Sequence, residues 1–148
     1  MRKFSIVSML LGVLGSLLFA IPAQATGTGV NGCTPGYWKN HTSNWEEVAA
    51  STPLVNRGFD PDYTSASATF LQALRYQGGS TLAGAEQILL RAGAAAYLNA
   101  VHDDVGYPLT RVQINTMVNN AIDSGSRAKI LEVAAYLDRL NNAGCPLN

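Results

Sequence analysis

Cysteine occurs twice in this chain, at Cys33 and Cys145, near the two ends of the region that reads as foldable. A bridge between them would close a loop of just over a hundred residues. By chain-entropy reasoning a loop of that size stabilises the fold by up to about 4–5 kcal/mol. It would also tie down both termini, where fraying and proteolysis usually begin. Bridging requires an oxidising compartment, so the state of the two cysteines depends on where the chain goes.

The first residues bear on that. Met1-Arg2-Lys3 is a short basic start, and an apolar run from Phe4 to Ile21 follows, broken only by small residues such as Ser8, Gly12, Gly15 and Ser16. Pro22 and then Ala23-Gln24-Ala25 complete the three-part plan of a secretory signal, with small residues at −3 and −1 of a cleavage site. A transmembrane anchor is the alternative, and the run is close to the lower limit of about 17 residues for a spanning helix. The A-x-A site favours cleavage after Ala25. The expected layout is a signal peptide over residues 1–25 and one domain over 26–148, secreted to the periplasm or the extracellular space. With no cysteine at the cleavage site and no second long apolar run, no membrane association is expected after cleavage. In that compartment an even cysteine count favours a Cys33–Cys145 disulfide over two free buried thiols.

Removing Arg2 and Lys3 leaves eight basic residues against ten acidic ones, a net charge of about −2. Such a chain lacks the basic footprint of a nucleic-acid binder and the basic face of a membrane-surface helix. The charged fraction of 14% and the hydrophobic fraction of 47% suit a compact domain rather than a disordered one.

Residues 26–36 are rich in Gly, Thr, Pro and Asn and read as a loop. Ser43 with Glu46 has capping-box spacing and predicts a short helix over Asn44–Ala50. Two prolines and a glycine make Thr52–Tyr63 irregular. A second helix is expected over Ala66–Tyr76, with Phe70, Leu71 and Leu74 on one face and Gly78-Gly79 beyond its end. Ser80 or Thr81 caps the third and longest, to His102; Glu86 and Arg91 are its only charges between Leu82 and Val101. A helix apolar on most sides is normally central. Thr110 with Gln113 caps a fourth helix to Asp123, and the Ser124-Gly125-Ser126 break caps a fifth to Asn142. No segment alternates with period two. The expected fold is all-α: an irregular five-helix bundle around a long apolar central helix, its ends joined by the disulfide.

The segment Cys33-Thr34-Pro35-Gly36-Tyr37-Trp38-Lys39-Asn40-His41 is far from generic. It resembles the start of a secreted domain found in many bacterial and some archaeal extracellular proteins. Ile88–Ala92, Leu98–His102, Tyr107–Thr110 and the ending Asn141-Asn142-Ala143-Gly144-Cys145-Pro146-Leu147 fit the same pattern, so the resemblance covers essentially the whole expected mature chain. It implies an extracellular module with paired ends rather than a catalytic site.

Several residues invite a chemical reading. Tyr37, Trp38 and Trp45 lie beside Lys39, Asn40 and His41; together they form either a ligand-recognition surface, with rings for stacking and polar groups for hydrogen bonds, or an aromatic plug over the bundle end beside the disulfide. His41 and His102 are the two histidines, and with Asp103 they form a candidate metal set; the alternative is two structural histidines, His102 being suited to a helix C-terminus. Asp60-Pro61-Asp62-Tyr63-Thr64 opens like a calcium loop, but Ser65 and Leu71 stand where glycine and an acid are required, so it reads as a turn before a helix cap. Asn40-His41-Thr42 is a formal glycosylation acceptor. No G-x-S-x-G occurs, and a serine hydrolase would need a spatial pairing with His41 or His102.

The expectation is a non-enzymatic extracellular module acting by protein interaction, self-assembly or surface association, with no cofactor required. A small-ligand or metal-binding protein using the Trp38–His41 strip and His102 is the second reading, and a hydrolase the third.

Overall fold

The computed structural model describes residues 29–61 and 67–147, so the expected signal peptide lies outside the described residues. Among the described residues five α-helices form: α1 (Pro35–Asn40), α2 (Phe70–Leu74), α3 (Leu82–Val101), α4 (Arg111–Asp123) and α5 (Arg127–Asn141). Among the described residues there is no strand, only isolated bridges pairing Gly32 with Gly144 and Pro53 with Thr69. No helix there is long and apolar enough to cross a membrane.

Each helix start has a local chemical cause. The side chains of Thr34, Thr81 and Ser126 accept from backbone N–H groups in the first turns of α1, α3 and α5. Thr69–Gln72 and Thr110–Gln113 form full capping boxes on α2 and α4. The last three helices fall within a residue of their expected bounds. The second is shorter than expected, and the Ala66 start assigned to it lies outside the described residues.

The first expected helix is the clear departure. Asn44–Ala50 is not helical: Thr42–Asn44 forms a single 3-10 turn, and Glu47 has φ 56°, which a helix cannot contain. The Ser43–Glu46 box does not form, because the Glu46 carboxylate accepts from the backbone N–H of Asp103 at 2.9 Å. The helix lies earlier, inside the segment read as a loop, with Thr34 as its cap and Pro35 at its first position. Proline suits that position because its missing N–H would have been unpaired there anyway.

Helix α3 is the hub. It touches all four other helices, and residues 92–99 are buried without interruption. Its small residues permit this: a Cβ on Gly84 would stand 2.6 Å from the backbone of Gly79, so the chain entering α3 passes too closely for any other residue. Leu54, Phe59 and Phe70 carry the irregular limb between α1 and α2 onto the bundle. There Phe59, Phe70 and Tyr97 of α3 form an aromatic triad with ring centroids 5.2–5.8 Å apart.

Candidate functional site

The two chain ends meet at one place. Cys33 and Cys145 form a disulfide with Cα atoms 4.4 Å apart. Beside it the Gly32 N–H donates to Gly144 O at 3.0 Å. Gly32 is confined by α5: a Cβ there would lie 2.2 Å from Leu140 O.

Two asparagines hold this clasp from within. Asn99 on α3 and Asn141 on α5 are fully buried. Asn99 Oδ1 accepts from Cys33 N at 2.8 Å and from Trp38 Nε1 at 3.0 Å. Its Nδ2 donates to Cys33 O at 2.9 Å and to Asn141 Oδ1 at 3.0 Å. Asn141 Oδ1 also accepts from the Tyr107 hydroxyl at 2.8 Å, and Asn141 Nδ2 donates to Ala92 O at 3.0 Å. The network thus joins the N-terminal loop, α3, α5 and the turn before α4; it fills the full amide capacity of Asn99 and gives both amide atoms of Asn141 a partner. Burial first, and the neighbouring Tyr136 phenol second, push the Tyr107 phenol above its ordinary range, which keeps it a donor.

The motif residues fall around this network in two groups. Trp38 is completely buried and offers no face to a ligand. Tyr37 is buried against it in an edge arrangement at 5.2 Å, and its hydroxyl accepts from Asn44 Nδ2 at 2.7 Å and donates to Leu147 O at 3.3 Å. Trp45 is half-buried and its Nε1 donates to Trp38 O at 2.9 Å. These three rings form the plug over the clasped end. His41 is exposed and stacks on Tyr37 at 4.2 Å. Its Nδ1 must carry a proton to donate to Tyr37 O at 2.8 Å, since a carbonyl only accepts. Lys39 and Asn40 are exposed with no side-chain hydrogen bond among the described residues. The recognition strip is therefore divided: its tryptophans lie inward, and only Lys39, Asn40 and His41 reach solvent.

The metal set is not assembled. The His102 ring lies against Trp38, with centroids 5.7 Å apart, whereas the His41 ring lies on Tyr37. His102 Nδ1 accepts from Asp104 N at 3.2 Å and stands 3.8 Å from Glu46 Oε2. Asp103 is exposed and meets Glu46 through its backbone N–H. Among the described residues no three His, Cys, Asp or Glu side chains converge in a way that could hold a metal ion, so the expected His41, His102 and Asp103 grouping does not form there. Two members of the expected calcium-like turn, Asp60 and Pro61, are described, and the rest lies outside the described residues.

Comparison with known proteins returns no matching family model, no matching curated protein and no matching solved structure.

Sequence reasoning missed Asn99, Asn141 and Tyr107. The available signal was an amide on the stripe of an otherwise apolar helix. A buried amide must be fully hydrogen-bonded, but the sequence does not name its partners.

Proposed function

We propose that the protein is a secreted, non-enzymatic interaction module, acting in the extracellular space or periplasm through contact with a protein partner or with further copies of itself. The observation that carries this reading is the use made of the C-T-P-G-Y-W-K-N-H segment. Its most distinctive groups cap a helix, fill the core and clasp the chain ends: Thr34 caps α1, Trp38 bonds Asn99, Tyr37 reaches Leu147, and Cys33 bridges to Cys145. A segment used in this way keeps a small domain intact outside the cell. The disulfide and the basic, apolar and A-x-A plan of residues 1–25 support the compartment. The resemblance to secreted prokaryotic domains supports it as well.

The test is native mass spectrometry of the protein recovered from its own culture, with periplasm and medium collected separately. The expected species begins at Thr26, is oxidised, and appears as a discrete complex with itself or with one partner. A chain recovered from the cytoplasm, or with both thiols reduced, overturns the compartment. A strictly monomeric chain carrying a stoichiometric metal overturns the interaction reading.

A further inference from the structure

The cations of this chain are unevenly placed. Arg57 and Arg111 are both engaged by Glu47, through its backbone carbonyl and its carboxylate respectively. Arg139 lies over the Tyr136 ring at 5.5 Å. Lys39 on α1, Arg75 at the end of α2 and Arg91 in the middle of α3 instead line one open depression of about 400 Å³. Three separate elements deliver them there. None of the three has a carboxylate within ion-pair distance among the described residues, where the arginine–carboxylate pair is Arg111–Glu47. Asp138 is the one acidic residue in the lining, which leaves the depression with a formal excess of two positive charges. In a chain with ten basic and ten acidic residues, this is a local concentration rather than a general bias.

Arg91 is held in place. Its Nη1 donates to Tyr76 O at 3.1 Å, which orients the guanidinium and leaves its other N–H groups for an incoming acceptor. A planar guanidinium with free donors suits a carboxylate or sulfate, which it can bind in a forked pair.

A second feature sets the rest of the ligand. Arg91 and Asp138 also border a groove of about 250 Å³ between α3 and α5. Its remaining lining is apolar: Ile88 and Ala92 from α3, and Leu131, Ala134 and Ala135 from α5. Ala92 and Ala134 are buried, while Ile88 and Leu131 are half-buried. The cationic depression and the apolar groove therefore adjoin at Arg91 and Asp138, which line both, and their combined size is in the range of sites for small molecules.

We infer that this continuous surface binds a small amphipathic anion, its acidic head held by Lys39, Arg75 and Arg91 and its short apolar tail lying along the α3–α5 groove. The site lies on side chains that the clasp does not use. It goes beyond the interaction-module reading and does not depend on it.

The probe is octanoate, titrated into the oxidised 26–148 protein at low ionic strength and followed by amide chemical shifts, with acetate, octylammonium and inorganic phosphate as comparators. Octanoate should shift amides within 75–77, 88–92 and 131–138 saturably, and bind at least tenfold more tightly than acetate or phosphate. Octylammonium should leave these amides unmoved. Lys39 and Arg75 are exposed, with side chains that make no hydrogen bond among the described residues, so the Lys39→Gln/Arg75→Gln double variant should fold normally and bind octanoate about tenfold more weakly. Ala135→Gln, placed on the exposed groove wall, should weaken octanoate and leave the weak acetate response unchanged. Equal binding of octylammonium overturns the inference, as does phosphate binding as tight as that of octanoate. Octanoate affinity unchanged in the double variant, or no saturable shift in this region, also overturns it. The oligomeric state of the same samples reports on the interaction-module reading separately.

Discussion

The clasped end and the irregular limb between α1 and α2 are both non-helical chain packed on the same bundle, yet they are held by different means. At the clasp, a disulfide and two buried asparagines bind backbone to α3 and α5, and the amide groups of both asparagines are paired. The limb is held by apolar insertion of Leu54 and Phe59, beside Phe70 at the start of α2. Two amides from α4 assist: Asn115 Nδ2 donates to Arg57 O, and Asn119 both donates to Gly58 O at 2.8 Å and accepts from Asp60 N at 3.0 Å. Here the polar accounting is incomplete, since Arg57 Nε and Asn115 Oδ1 are buried without a hydrogen-bond partner among the described residues. Glu47 adds a left-handed backbone at a residue that is not glycine, a conformation that costs about 1–2 kcal/mol. The contrast separates a region built to hold one geometry from a region that follows the core's shape.

Removing the bridge should give the largest difference between the two. Cys33→Ala with Cys145→Ala frees a loop spanning 112 residues of sequence separation, with an expected loss of up to about 4–5 kcal/mol in urea denaturation. Hydrogen exchange gives the regional readout. The Asn31 and Gly32 amides, which donate to Gly106 O and Gly144 O, should exchange much faster in the double variant. The Leu54 and Phe70 amides, bonded to Ala68 O and Thr52 O, should change only with global stability. Equal acceleration in both regions would erase the distinction.

A matched pair of amide deletions sharpens it. Asn99→Ala leaves Cys33 N, Cys33 O and Trp38 Nε1 without that partner inside the fold, while Asn141 Oδ1 keeps its bond from the Tyr107 hydroxyl. Buried groups left unpaired cost about 1–3 kcal/mol each before relaxation, so a net loss of about 3 kcal/mol is expected. Asn119→Ala removes two solvent-exposed bonds, which water can replace, and should cost about 1 kcal/mol. Thermal unfolding of the two variants side by side reads the ratio, and comparable losses would mean that the clasp network is no more demanding than the limb's contacts.

The same contrast governs what was legible beforehand. The core helices α3, α4 and α5 followed from the period of their apolar residues and from the caps at Thr81, Thr110 and Ser126. The disulfide followed from cysteine placement and the expected compartment. Helix α1 was hidden because Pro35-Gly36 carries turn chemistry, although Thr34-Pro35 is equally a helix start. The limb was misread because Glu46 had two possible uses, and a tertiary partner at Asp103, 57 positions away, prevailed over its neighbour Ser43. The cationic depression was not legible for a similar reason: Lys39 stood in the expected recognition strip and Arg91 was one of two charges on the central helix, but they meet Arg75 only through packing of α1, α2 and α3. Local patterns report helices well, because the cause of a helix is local. Asn99 and Asn141 act across 42 positions, and nothing near either residue names the other.

The smallest expected effect concerns the outer edge of the clasp and is distinguished by its pH dependence. The Tyr107 hydroxyl donates to Asn141 Oδ1, and its phenol is raised above the ordinary value of 10.0, by burial first and by Tyr136 second. A raised phenol in the folded state means that the folded protein resists ionisation more than the unfolded chain does. Its contribution is therefore fully present below pH 10.0 and is progressively lost as pH rises above that value. Tyr107→Phe should cost about 1 kcal/mol at neutral pH through the lost hydrogen bond. In urea denaturation from pH 7 to 11, the gap between wild type and this variant should narrow above about pH 10. The deficit of Asn119→Ala, which involves no titrating group, should stay constant over the same range. A Tyr107→Phe deficit that is equally constant would show that the phenol is not held by the network, and would place the boundary of the clasp at Asn141 instead.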